Sequence, residues 1–355
     1  MVSPVVRYLI ADDLTGAADA SVHFAGSRDV RIFIPRRDSS SLPTGGGGQR
    51  WGDRQAKDLT VLDTETRDTR PDEAGAVLKL ACQGLGAGVF KKVDSTLRGP
   101  VPAELEAARM ALGRTAVILA PSLPTQGRMV IAGRLLVRGV DVGSVADIVG
   151  AAAPLVPVEA LTGDSLAPLV VIDAATDADL DRIAAACIRR ADLLPAGSAG
   201  LAAAFARLEG SAAPTAVTTC RHVLVAVASR NPAARLQLDL VSVQALGEIK
   251  VVAIPRDADG HPAELVAALA MDVADRALHL GEGVVVLATG GDMALAVCRA
   301  LSIESIRPRA EVLPGVVLSE TGQGDLGLAT KAGGFGGPRL LLDAARKLLG
   351  MDSLG

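Results

Sequence analysis

Aromatic side chains are scarce in this chain: one tryptophan, one tyrosine and five phenylalanines among 355 residues. A platform that stacks nucleic-acid bases needs such rings, so that class of function is set aside. A basic surplus is missing too. The chain carries 36 Lys and Arg against 40 Asp and Glu, a formal charge of −4, which suits neither a nucleic-acid footprint nor an anionic membrane. Cysteine and histidine are few, four of each. Cys82, Cys187, Cys220 and Cys298 are far apart, as are His23, His222, His261 and His279. Neither a metal-ligand cluster nor a disulfide framework is expected. No uncharged apolar run is long enough to span a bilayer. The opening MVSPVVRYLIADD reaches Asp12 and Asp13 too soon for a signal-peptide core. The expectation is a cytoplasmic protein with small-molecule partners, no nucleic acid and no membrane, and with self-association left open.

What the chain does have is Ala, Val and Leu. Hydrophobic residues make up 49 %, enough for about two cores by the usual prior of roughly 150 residues per domain. Apolar β-branched runs (VVRYLIA, VRIFI, LTVLDT, GVFKKV, TAVILA, LVVID) alternate with helical stretches such as PDEAGAVLKLACQGL and VPAELEAARMAL. Strands that are apolar throughout and separated by helices indicate a parallel sheet covered on both faces. RRDSSSLPTGGGGQRWGDRQAK breaks the pattern and reads as a flexible excursion. EGSAAPTAVTT reads as a linker, and a second alternating set follows it: HVLVAVA, IKVVAIP, GVVVLATGG, GVVLSE and LGLATKAGG. The expected fold class is therefore α/β, with two three-layer α/β/α domains. Residues 1–210 would hold a mainly parallel sheet and residues 211–355 a parallel or mixed one.

Ligands of open parallel sheets bind beyond the carboxyl ends of strands, and polar residues fall there repeatedly. ADDLTG offers Asp12, Asp13, Thr15 and Gly16. VLDTETRD offers Asp63, Thr64 and Arg67, and ILAPSLPTQGR offers Ser122, Gln126 and Arg128. KKVDSTLRGP crowds Lys92, Asp94, Ser95 and Arg98 against a glycine and a proline. Asp13 or Thr15 alone could be a helix cap, but four polar strand ends exceed what capping needs. Guanidinium and ammonium groups suit a carboxylate or phosphate, and aspartates suit sugar hydroxyls. A small polyhydroxylated acid would satisfy both sets. In the second half, ATGGDMA and TKAGGFGG place glycines at strand ends, where backbone N–H groups can approach phosphates. GQGDLG matches a dinucleotide pattern but precedes a strand, and no P-loop sequence exists.

ADDLTGAAD, KKVDSTLRG, PTQGR, GSAGLA, TGGD and TKAGGFG, in that order, resemble the four-carbon acid sugar kinase family, whose members act on D-threonate, D-erythronate and 3-oxo-tetronate. The matched blocks run from residue 11 to about 337. The resemblance implies an acid-sugar-binding N-terminal domain and an ATP-binding C-terminal domain. It also implies transfer of the γ-phosphate to a terminal hydroxyl, with Mg²⁺. It assigns Asp12, Asp13, Lys92, Asp94, Ser95 and Arg98 to the sugar site, and Ser229, Gly290, Gly291, Asp292, Met293 and Gly333 to the nucleotide. Arg67 joins the sugar site from the strand-end reading. Asp94 is expected as the catalytic base, with Asp13 second. Two departures stand out, Ala228 where the family has glycine and Met293 where it has threonine. They motivate the alternative of a catalytically weak relative that binds a sugar acid or nucleotide. A haloacid-dehalogenase phosphatase is set aside, because it needs aspartates at alternate positions and Asp12 and Asp13 are adjacent.

Overall fold

The structure, a computed structural model, describes residues 6–35, 58–150, 153–163, 165–244 and 247–351. The Ser/Gly-rich excursion of residues 36–57 lies outside the described residues. The chain divides into two compact units. One is drawn from Met1–Val30 and Pro35–Ala212, the other from Arg31–Ile34 and Ala213–Gly355.

The first part of the chain runs β1 (Tyr8–Ala11), α1 (Leu14–Ser21), β2 (Val30–Phe33), β3 (Leu59–Asp63), α2 (Pro71–Ala81), β4 (Val89–Lys92), α3 (Val101–Ala111) and β5 (Ala116–Ala120). An antiparallel meander follows, β6 (Arg128–Ile131), β7 (Arg134–Val137) and β8 (Val140–Ser144), then the short α4 (Val145–Val149). The unit ends with β9 (Leu169–Val171), α5 (Asp177–Ile188), β10 (Leu193–Gly197) and α6 (Ala199–Leu208).

The main sheet of the first unit has the order β3-β1-β4-β10-β5-β9, with every pair parallel. Helices α2 and α3 pack on each other, while α1 and α5 both pack on α6. Covered strands need apolar residues at every position, and β3 and β5 are buried throughout. From β1 the chain goes to β3 on one side and, after α2, to β4 on the other. The point where winding reverses therefore lies between β1 and β4, the place where a doubly wound sheet binds ligands.

The second unit contains β11 (His222–Val227), α7 (Pro232–Gln244), β12 (Ile249–Ala253), α8 (Pro262–Leu280), β13 (Val284–Thr289) and α9 (Gly291–Ala300). It continues with β14 (Ser305–Leu313), β15 (Val316–Glu320), β16 (Gly327–Lys331) and α10 (Leu340–Leu348). Its sheet is mixed. β12, β11, β13 and β16 are parallel; β15, β14 and β2 continue the order as antiparallel neighbours. Helix α10 packs on α7, and α8 on α9. Val223, Val225, Val227 and Leu287 of the strands pack with Leu341, Leu342 and Ala345 of α10 in one core. Winding reverses between β11 and β13.

The stretch read as a linker is pinned rather than slack. Glu209 accepts the Val6 N–H at 3.0 Å and pairs with Arg28 at 3.1 Å. Pro214 O accepts the Glu311 N–H at 2.8 Å. Among the described residues no helix is long and apolar enough to cross a membrane. The four cysteines are free.

Candidate active site

Adjacent lysines in a strand point to opposite faces, and the pair at the end of β4 does so. Lys91 is fully buried, with Nζ 3.0 Å from Glu104 Oε2 on α3. The Thr66 hydroxyl donates to the other oxygen of Glu104. Lys92 goes to the α1 side. A Cβ on Gly16 would lie 2.8 Å from Lys92 Nζ and 2.5 Å from Asp13 Oδ1, so a side chain there would have to push both groups aside. Lys92 is only 4 % exposed. Among the described residues its ammonium makes no hydrogen bond or ion pair.

Beyond β4 the chain turns sharply around Asp94. Its Oδ2 accepts the Thr96 N–H at 3.0 Å and Arg98 Nε at 3.1 Å, and its Oδ1 accepts Arg98 Nη2 at 2.8 Å. These bonds stabilise Leu97 at φ +59°, a conformation that costs a residue with a side chain of this size. Arg67, four residues past the end of β3, joins the other acids. It grips both oxygens of Asp12 at 2.8 and 3.0 Å, pairs with Asp13 Oδ2 at 2.7 Å, and lies 3.8 Å from Asp94 Oδ1. Asp13 also caps α1, accepting the Gly16 N–H at 2.8 Å and the Thr15 hydroxyl at 2.6 Å. Capping and membership of the cluster thus coexist in one carboxylate. Arg128, at the start of β6, donates to Ser95 Oγ at 2.6 Å and to Gln126 Oε1 at 3.1 Å.

The structure therefore brings Asp12, Asp13, Arg67, Lys92, Asp94, Ser95 and Arg98 together at the reversal point of the first sheet. Burial raises the proton affinity of Asp94, but the Arg98 hydrogen bonds and the Arg67 and Arg98 charges outweigh it. The carboxyl is held well below the usual range. Burial likewise works against the ionised form of Asp12, and Arg67, Lys91 and Lys92 overcome it. Arg67 is desolvated yet holds its proton more tightly than usual because of Asp13 and Asp12. The result is a set of ionised aspartates with hydroxyl-sized acceptor chemistry, flanked by the cations Lys92 and Arg98, the latter with a side chain 62 % exposed.

In the second unit the carboxyl ends of β11, β13 and β16 meet. Gly290 (φ +97°) starts α9, and its N–H donates to Lys331 O at 2.7 Å. A Cβ on Gly333 would lie 3.5 Å from Ser229 Oγ and 3.9 Å from Gly290 Cα, so Ser229, Gly290 and Gly333 are neighbours. Gly291 and Asp292 open α9, where the first N–H groups have no partner within the helix. The Met293 side chain is 1 % exposed and turned into the packing of α9, which leaves its backbone as the part near that helix start. The sequence reading missed Lys331. It is fully buried and, among the described residues, has no acidic partner, and burial pulls its ammonium down to about 7.

Comparison with known proteins fits this arrangement. The family model for a sugar-binding N-terminal domain matches residues 8–158, and that for a nucleotide-binding C-terminal domain matches residues 206–341. A D-threonate kinase of Bordetella bronchiseptica is 33 % identical over 96 % of this chain and 96 % of its own. This chain belongs to the four-carbon acid sugar kinase family. It is a kinase. Another member, a D-threonate kinase of Cupriavidus necator, is 31 % identical over 95 % of this chain and 96 % of its own. A crystal structure described as a putative tRNA synthase from Salmonella typhimurium superposes with a TM-score of 0.71. It covers 96 % of this chain and 98 % of its own at 19 % identity, which shows a shared fold. In this acid sugar kinase, Arg67 and Arg128 were visible in sequence only as polar residues after strands. Lys331 carried a weaker signal, a lone lysine after an apolar strand and before a glycine run. Gln237, which reaches the same glycine run from the middle of α7, carried none.

Proposed function

We propose that this kinase transfers the γ-phosphoryl group of ATP to the terminal hydroxyl of a four-carbon acid sugar, with D-threonate the first candidate. The observation that carries the reading is Lys92: a nearly buried ammonium that makes no hydrogen bond or ion pair among the described residues, beside Asp12, Asp13 and Asp94, at the reversal point of a parallel sheet. A desolvated cation in such a place favours a bound anion, and the substrate carboxylate or the incoming phosphoryl group supplies one. Arg98, largely exposed, would add the second positive charge. Asp12, Asp13 and Asp94 would accept hydrogen bonds from the sugar hydroxyls. Asp94 is too strongly paired to be a powerful base, so its proposed role is to orient the attacking hydroxyl. Phosphoryl transfer through a loose transition state needs orientation and charge neutralisation more than base strength.

The second unit would hold ATP through the α9 start at Gly290 to Met293 and through Ser229 and Gly333. Mg²⁺ prefers phosphate oxygens, water and one or two carboxylates, and the exposed Asp292 at the α9 start fits that demand. Bound there, the ion would neutralise charge on the phosphates.

The test is ADP release by the purified chain with Mg²⁺-ATP and a panel of D-threonate, D-erythronate, L-threonate and their oxo forms. Release above the no-sugar background with one acid is the expected result. In Asp94→Asn, turnover should fall by about 100-fold from loss of the hydroxyl's orientation, while ATP binding is retained. Near wild-type turnover in that variant would remove Asp94 from its role. No release with any acid, together with ligand-induced thermal stabilisation, would favour the catalytically weak binding protein suggested by Ala228 and Met293.

A further inference from the structure

The loop after β16, residues 332–337, is organised from within by two side chains. Lys331 Nζ donates to Ala332 O at 2.7 Å, Gly333 O at 3.0 Å and Phe335 O at 3.1 Å. An ammonium has three N–H donors, and all three are used. From α7, Gln237 Nε2 reaches Phe335 O at 2.9 Å, Gly336 O at 3.2 Å and Gly337 O at 2.9 Å. Five carbonyls of one short loop are thus turned toward two buried side chains.

A trans peptide points its C=O and the following N–H in opposite directions. Turning the carbonyls of 332, 333, 335 and 336 inward therefore turns outward the N–H groups of Gly333, Gly334, Gly336 and Gly337. Among the described residues none of these four N–H groups has a hydrogen-bond partner. They form two successive pairs, 333–334 and 336–337, on either side of Phe335, whose N–H donates to Ala332 O at 3.2 Å, and successive outward N–H groups form a concave anion site. The loop also cannot take side chains freely. Gly336 has φ +92°, and a Cβ there would collide with Leu340.

We propose that Lys331 and Gln237 are positioning residues for nucleotide phosphates. They do not touch the nucleotide; they hold the loop carbonyls inward so that four backbone N–H groups face a phosphate. This rests on the reading of the second unit as the nucleotide-holding one. Lys331 acts as an internal scaffold, unlike a P-loop lysine that reaches out to the phosphates.

The experiment is calorimetric titration of ATP, ADP and adenosine into the full chain and into Lys331→Met, which keeps the length and apolar stem of the side chain. Losing charged hydrogen bonds to three carbonyls should weaken ATP and ADP binding by about tenfold or more, with adenosine affinity and the KM for the acid sugar unchanged. Gln237→Met should shift ATP binding in the same direction, and it tests the idea if Lys331→Met does not fold. Unchanged ATP affinity in both variants overturns the inference and leaves the nucleotide reading standing. An equal loss for adenosine and ATP also overturns it, because that marks general damage to the pocket. A parent chain that binds none of the three ligands sinks the nucleotide reading itself, and the inference with it.

Discussion

Asp63 ends β3 with a fully buried carboxyl whose Oδ1 accepts the Glu65 N–H at 3.1 Å and whose Oδ2 has no hydrogen-bond partner among the described residues. Burial raises its proton affinity, the Asp13 charge adds to that, and the pKa stands well above the model-peptide value of 3.8. Between 3.8 and its folded value, the folded chain holds a proton that the unfolded chain has lost. Stability contributed by this group therefore falls as pH rises through that window, and the loss is complete above the folded pKa. Asp63→Asn keeps an acceptor for Glu65 and has no charge to bury. It should be more stable than the parent at pH 8, by a margin that shrinks as pH is lowered toward 4. Urea unfolding at a series of pH values measures this, and a pH-independent difference would show that Asp63 carries no buried-charge penalty. Asp94 has the opposite sign. Its depressed pKa stabilises the fold above about pH 4 and loses that contribution as acid protonates it. The sequence showed both acids at strand ends but could not rank them, because their difference lies in the partners that Arg67 and Arg98 provide to one and deny to the other.

The buried pair Lys91–Glu104 joins β4 to α3, and its energetics belong to those two elements. Breaking a buried ion pair by removing one partner typically costs about 3–5 kcal/mol, whereas replacing both with apolar residues is often neutral. Lys91→Met and Glu104→Leu should each be strongly destabilising, and the double variant should recover most of the loss. A double-mutant cycle in guanidinium unfolding measures the coupling, and simple additivity would mean that the pair acts independently. Which elements were legible follows similar local physics. Buried parallel strands such as TAVILA and GVVVLATGG announced themselves as unbroken apolar runs. The β6–β7–β8 meander did not, although its turns are of the tight hairpin kind. Ala132 and Gly133 have φ of +50° and +71°, and Arg138 and Gly139 have +51° and +81°. Such turns usually show Asn-Gly or Asp-Gly, and here the first position is Ala or Arg. β10 was hidden by Pro195, a residue that ordinarily argues against a central strand, although it pairs with Ile118 inside the sheet. β14 alternates buried and partly exposed residues, but Pro308 and two arginines dilute the pattern.

At the scale of the whole molecule, the proposed function puts acceptor and donor chemistry on different units. The four-residue segment Arg31–Ile34 belongs to the second unit, because β2 pairs with β14. That assignment was not legible from sequence, since VRIFI reads like any other strand of the first half. The division of labour gives the last expectation. A ligand at a hundred times its Kd stabilises the state that binds it by about 2.7 kcal/mol. In a unit of this size that is a shift of about 5–10 °C in unfolding temperature. In the parent chain, D-threonate and ADP should each produce such a shift. Lys92→Met removes an ammonium that makes no hydrogen bond or ion pair among the described residues, and Arg67 still grips Asp12, so the fold should survive it. That variant should lose the D-threonate shift and keep the ADP shift. Scanning calorimetry with each ligand alone decides the matter. Loss of both shifts in Lys92→Met would mean that the two binding functions are not separable by unit. Retention of the D-threonate shift would mean that Lys92 is not the anion partner.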